Sequence, residues 1–330
     1  APEIFDPVSG ETRLVPVYQP VEGGTRLAMA LPPSGSVFVV FRAPEPAVRA
    51  AGLTLNGAPA AVNTIAESAA AVEVSAAPGG AIRIVTSRPG RYALRGRGEA
   101  AIALPAPREL AGAWEVAFPE GWGAPPTKTF ARLVSWTEDD DPSIRYFSGI
   151  ATYRKNFELP PEMIARGLRL YLDLGDVRVV ARAALNGKPL GIAWAAPFRL
   201  EITAAARTGA NRLEIEVANT WSNRITGDHN TTGKKFTNTN LPWKKDTPLL
   251  ASGLERKMKV SLSYGARMKS RNFRSLYPRW CRPWKHRRRT SPTRISDCSL
   301  LHKCSRPTLR ASLLPTPMSA SCRLTRHFPR

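Results

Sequence analysis

Residues able to do chemistry gather in two places. The first is the run 219–245, NTWSNRITGDHNTTGKKFTNTNLPWKK, which holds His229, the only histidine before residue 286. Trp221 offers a ring face for stacking, and Asn223 and Asp228 offer hydrogen bonds to hydroxyls. The same side chains also read as architecture. Asn and Asp bond to nearby backbone and hold turns. Arg224 and Asp228 can form a charge-assisted pair across a turn, and Trp221 can close the end of an apolar core. The architectural reading is the stronger one. His229 has no partner in sequence to make it a base or a ligand. Asn230-Thr231-Thr232 is a glycosylation triplet by rule, of a kind common by chance.

The second place is the acid run Glu138, Asp139, Asp140 and Asp141, just before Pro142. Acid–base hydrolysis needs two carboxylates facing one substrate, one of them with a raised pKa. Four adjacent acids in water repel one another and do not face a common point. They read as a solvated turn, with a calcium site as the weaker alternative. Asp173 and Asp176 flank Gly175 as a turn pair. Glu214 and Glu216 lie on the wet face of a strand. No spacing selects a catalytic pair.

The elements that would position these residues are strands. LRLYLDLG (168–175) puts Leu168, Leu170, Leu172 and Leu174 on one face and Arg169, Tyr171 and Asp173 on the other. FRLEIT (198–203) and NRLEIEV (211–217) repeat the pattern. Period-two alternation with one wet face marks antiparallel sheets packed face to face. Asn56-Gly57 and Asn186-Gly187 read as hairpin turns, because both central residues of a tight I′ turn need positive φ. No amphipathic helix of useful length is evident, which argues against a Rossmann fold or a TIM barrel. The expected fold class is all-β, with two antiparallel β-sandwiches in series, residues 1–104 and residues 105–254, and the short segment ALPAPREL (103–110) as the linker between them. Trp114, Trp122 and Trp136 read as core or domain-contact residues. Trp194, in GIAWAAPF, lies at a sandwich edge, where end loops carry ligand contacts when there are any. It is the best-placed ring for sugar stacking, although core packing is the stronger expectation.

Residues 255–330 differ in kind. They hold 20 of the 48 Lys and Arg but only two acids, Glu255 and Asp297, so most of the +22 net charge sits there. All four cysteines (Cys281, Cys298, Cys304, Cys322) are in this tail, with 16, 5 and 17 residues between them and no metal-binding spacing. Its Pro- and Arg-rich sequence has no sustained period and is expected to be disordered. Arg, Pro, Ser, Cys and Trp together are what a G+C-rich gene yields when read out of register, so the frame is expected to be lost near Leu254. MKVSLSY (258–264) alternates weakly and is the remaining candidate for a closing strand. WCRPWKHRRR would bind polyanions nonspecifically. A specific nucleic-acid partner is not expected, since the body is nearly neutral. No apolar run is long enough to span a bilayer as a helix.

Three segments, YFSGIATYRKNFELP, LYLDLGDVRVVARAALNGKPLGIAWAAPFRLEIT and GANRLEIEVANTW, resemble the sugar-binding jelly roll of family 2 glycoside hydrolases. With GAWEVAFPEGWG, LVSWTEDDDPSIRYFSG, NTWSNRITGD, PEIFDPVSGETRLVPVY and GSVFVVFR, residues 1–254 resemble the C-terminal β-sandwich region of α-L-rhamnosidase-like family 106 glycoside hydrolases. The resemblance implies that the second sandwich is a galactose-binding-like jelly roll, and that Asn219, Trp221, Asn223, Arg224, Gly227 and Asp228 form the family's N-x-W-x-N-R-x-x-G-D run. It also implies a catalytic (β/α)8 barrel upstream, outside these 330 residues. No catalytic residue, metal ligand or cofactor is therefore carried over. The implied partners are that barrel and plant or microbial glycans, with Trp194, Trp221, Asn223, Arg224 and Asp228 as candidate carbohydrate contacts, and a periplasmic or secreted setting. A stand-alone carbohydrate-binding module, a family 2 enzyme proper and a polyanion binder acting through the tail are the alternatives.

Overall fold

The computed structural model describes residues 1–7, 10–31, 36–42, 44–46, 48–63, 72–240, 242–269 and 320–325. The fold is all-β, built mainly from antiparallel sheets around two apolar cores. The first core gathers Ile4, Leu27, Leu53, Ile82, Ile84 and Tyr92. The second gathers Trp114, Trp136, Tyr153, Leu172, Ile215 and Val217. Both expected Asn-Gly hairpin turns are present, with positive φ at Asn56, Gly57, Asn186 and Gly187.

One wall of the second sandwich is a six-stranded sheet. Its strand order is Thr127–Phe130, Trp114–Ala117, Ile150–Leu159, Gly209–Ala218, Val180–Leu185 and Lys188–Ala193. Leu213, Ile215 and Val217 alternate inward from the long Gly209–Ala218 strand and are fully buried. The opposite wall runs through Arg199–Glu201, Leu168–Asp173, Lys259–Lys269, Ala81–Thr86 and Glu73–Ala77. It therefore crosses from the second sandwich into the first.

The crossing is made by one strand, Lys259–Lys269. Its first half pairs with Leu168–Asp173, with Leu262 opposite Leu170 and Val260 opposite Leu172. Its second half pairs on the other side with Ala81–Thr86, with Ala266 opposite Ile84 and Met268 opposite Ile82. Val260 and Leu262 enter the second core, and Ala266 and Met268 enter the first.

Three expectations are corrected. The domain boundary at 254 is too early, because Gly253–Glu255 pairs with Asp176–Arg178 and Lys259–Lys269 becomes the central strand. Alternation inside the basic stretch suffices: the apolar residues face the cores, and Lys259 and Arg267 lie on the opposite face. Beyond it, Ala320–Thr325 pairs with Gly24–Ala30. Residues 270–319 and 326–330, with Cys281, Cys298 and Cys304, lie outside the described residues, and so does most of the expected disordered tail.

Second, the polar run contains a nine-residue helix, Ser222–Asn230. It escapes an apolar-periodicity search because its buried residues are Asn223, Arg224, Thr226, Gly227 and Asp228. Third, the second face of Leu168–Asp173 is not uniformly wet. Tyr171 is buried there, as are Ser261 and Ser263 opposite it and Arg169. The cover over Tyr171 is Arg199, whose guanidinium lies 3.8 Å from the Tyr171 ring centre.

Candidate functional site

The sequence-nominated residues meet at one end of the second sandwich, where the Gly209–Ala218 strand gives way to the helix Ser222–Asn230. Asn219 closes the strand onto its neighbour. It accepts from the Gly149 amide at 2.9 Å and donates to the Phe147 carbonyl at 2.8 Å and to Ser252 Oγ at 3.0 Å. Asn223, one turn on, exchanges two bonds with Leu250, accepting from its amide and donating to its carbonyl, and also donates to Ser252 Oγ at 2.8 Å. Ser252 is held as well by Ser135, whose Oγ accepts from the Ser252 amide, and the Leu254 amide donates to Tyr153 Oη at 3.1 Å. These bonds clamp residues 250–254 against the sandwich and aim the chain into its shared strand. Gly253 is required there, because a Cβ would lie 2.5 Å from Tyr153 Oη and 2.7 Å from Trp136 Nε1. Burial pushes the Tyr153 hydroxyl pKa up, against the bond from the Leu254 amide that lowers it.

Further along the helix, Asp228 Oδ2 accepts from the Phe236 amide (2.9 Å), the Thr237 amide (2.6 Å) and Thr237 Oγ1 (2.6 Å). Arg224 lies one turn earlier, with Nη1 3.8 Å from Asp228 Oδ1, so the anticipated pair forms along a helix rather than across a turn. Its guanidinium also sits 4.7 Å from the Phe236 ring centre, and its backbone amide donates to Ser148 Oγ. Burial lowers the Arg224 pKa and the charge of Asp228 opposes that shift. Thr226 Oγ1 accepts from Trp243 Nε1 at 3.0 Å.

Asn223, Arg224 and Asp228 thus face inward and hold protein groups, buried at 1–6 % exposure. Trp194 and Trp221 face outward, at 58 % and 51 %. Trp221 leans on Trp122, with ring centres 5.2 Å apart, and Trp122 stacks on Phe236. Neither Trp194 nor Trp221 fills a core, contrary to the stronger sequence expectation. Trp114 and Trp136 do.

Most of the candidate acids are engaged locally. Asp139 pairs with Lys128 at 2.7 Å, and Asp141 caps the short helix Pro142–Arg145 through the Ser143 amide. Bonds from the Ser143 hydroxyl and amide, aided by Lys128 and opposed by burial, lower the Asp141 pKa. Glu216 bonds Arg182 at 2.7 Å, and Glu214 bonds Arg212 at 2.7 Å. Asp173 and Asp176 meet Lys259 and Arg256. Among the described residues no group of three or more His, Cys, Asp or Glu is gathered to hold a metal.

A cleft of about 400 Å³ lies between residues 109–112, 131–135 and 255–258. Glu109, Glu138 and Glu255 line it together with Arg132, Arg256 and Lys257, and Lys257 bonds Glu109 at 3.1 Å. Its walls come from three distant segments, which no local pattern of residues brings together.

No family model matches the chain. A protein of Formosa agariphila described as a putative beta-glucuronidase is 36 % identical over 184 residues, covering 48 % of this chain and 16 % of that protein. The structure of a rhamnosidase from Novosphingobium sp. PP1Y aligns with a TM-score of 0.55 at 33 % identity, covering 79 % of this chain and 20 % of that one. This chain thus spans a fifth or less of the length of these two relatives. Across the matched spans it is glycoside-hydrolase-like in sequence and, against the rhamnosidase, in structure.

Proposed function

We propose that this chain is a non-catalytic β-sandwich part of an α-L-rhamnosidase-like glycoside hydrolase, supporting a catalytic barrel carried elsewhere. The observation that carries the reading is the rhamnosidase alignment, which runs over most of this chain but a small part of that enzyme. Glycoside cleavage needs two carboxyl groups held across one sugar. Of the candidate acids, Asp139, Glu214 and Glu216 are held by cations and Asp141 is spent on a helix cap. In this reading the N-x-W-x-N-R-x-x-G-D run is structural, because its Asn, Arg and Asp side chains grip residues 236–237 and 250–252. Incubating the chain with an aryl α-L-rhamnoside is expected to give no turnover. Turnover that disappears on changing one of its carboxylates to the amide would overturn the proposal.

A second reading, a carbohydrate-binding module, draws on the exposed rings of Trp194 and Trp221. It requires glycan affinity that falls in Trp194→Ala, measured by calorimetry with rhamnose-containing oligosaccharides.

A further inference from the structure

On the outer face of the six-stranded sheet, one row of positions is apolar across three strands and the residue that follows a fourth. Trp194 follows Ala193, which pairs with Ala181. The neighbouring Val180 pairs with Ala218, and Ala218 pairs with Ile150. Ile192 lies on the same face as Trp194, two residues back. Val179 sits at the same sheet end, its amide bonded to the Ala218 carbonyl. Trp221 follows three residues after Ala218, and Leu250 is tied to the helix through Asn223. Six of these residues, Ile150, Val179, Ile192, Trp194, Trp221 and Leu250, are 46–58 % exposed. Exposed apolar side chains gathered at one end of a sheet mark an interaction site.

The chemistry of the face selects its occupant. A sugar site needs aromatic rings together with free, convergent polar groups. Here four of the six side chains are aliphatic. The charged groups in the adjoining rows already pair with one another, Arg182 with Glu216 and Arg154 with Glu115 and Glu214. Asn223, Arg224 and Asp228 point inward. An apolar centre of Trp and aliphatic residues beside self-paired charges suits a protein surface. Most of the length of the matched rhamnosidase lies outside the region this chain covers, which supplies such a surface in the same polypeptide. Resting on the function proposed above, we propose that the row Trp194–Val180–Ala218–Ile150, with Ile192, Val179, Trp221 and Leu250, is the face on which the catalytic domain docks.

Hydroxyl-radical footprinting tests this by reading side-chain exposure directly. The 330-residue chain is compared with a longer polypeptide, encoded at its locus, that joins this segment to a hydrolase domain. Oxidation of Trp194 and Trp221 is expected to fall severalfold in the long polypeptide. Oxidation of Phe38, exposed on the first sandwich, is expected to stay unchanged. Ile192→Glu in the long polypeptide should return Trp194 oxidation toward the level of the shorter chain. Equal Trp194 oxidation in both polypeptides overturns the docking face and leaves the functional reading standing. Protection of Trp194 in the 330-residue chain by a rhamnose-containing oligosaccharide assigns the face to glycan and overturns protein docking. A locus encoding no hydrolase domain overturns both.

Discussion

Arg199 and Ser87, 112 positions apart in the chain, are joined by a hydrogen bond of 3.0 Å from the guanidinium to the hydroxyl. Ser87 follows the Ala81–Thr86 strand of the first sandwich, and Arg199 begins a strand of the second. Arg199 also donates to Ser261 Oγ at 3.2 Å and lies over Tyr171. It is a buried cation used as a rivet between two domains. Arg199→Met keeps the aliphatic stem and removes the donors, leaving two serine hydroxyls short of a partner. The expected cost is about 2–4 kcal/mol, read by denaturant unfolding. A change below about 0.5 kcal/mol, the level of an ordinary surface substitution, would show that the rivet carries no load.

Leu262 is buried in the second core from the shared strand, so Leu262→Ala should cost about 3 kcal/mol. Ending the chain at residue 254 is a harsher change. It bares the edges of Leu168–Asp173 and Ala81–Thr86 together, and open apolar edges recruit other chains. Light scattering should report aggregation of the truncated protein. A monodisperse product with an unchanged melting curve would contradict the role given to Lys259–Lys269.

Alanine is normally a better helix residue than glycine by about 1 kcal/mol. At residue 227 the sign should reverse. A Cβ there would sit 2.6 Å from Tyr146 Cβ and Cγ, inside any normal contact distance. Gly227→Ala is expected to destabilise by about 1–3 kcal/mol, the usual cost of overpacking. Adding Tyr146→Gly, which removes both clashing atoms, should recover part of that loss, and calorimetric melting of both variants checks it. A rise in melting temperature for the single variant would refute the close approach.

Asp141 gives a pH signature. Its folded pKa is lowered, chiefly by the Ser143 hydroxyl bond. A lowered carboxylate pKa contributes stability that is complete above the unfolded-state value and is lost as pH falls through the folded one. Asp141→Ala should therefore cost about 1 kcal/mol near neutrality, the usual worth of a helix N-cap. The gap between wild type and variant should narrow as the solution is acidified below the ordinary carboxylate range. Parallel stability curves across that range would rule out the ionised cap.

Strand identity was legible in the sequence wherever one face is apolar and the other wet. NRLEIEV shows this: Leu213, Ile215 and Val217 go in, and Glu214 and Glu216 stay out with their arginines. What was not legible is that the second face of Leu168–Asp173 is covered at Tyr171, because a polar-looking face can be sealed by a distant arginine. The Ser222–Asn230 helix was hidden for a related reason, since its inward side is made of Asn, Arg, Thr and Asp satisfied by partners far along the chain. The shared strand was obscured by its company. Only the alternation of Met258, Val260, Leu262, Ala266 and Met268 marks it, within a run of cations that composition alone assigns to a tail.

A strand common to both sheets removes the usual freedom of tandem modules. Two sandwiches on a flexible tether would swivel independently, but a continuous backbone ladder fixes their relative angle and spacing. The pair is a stiff bracket. Whatever fastens to its far end is held at a set distance and orientation from whatever fastens to the near one.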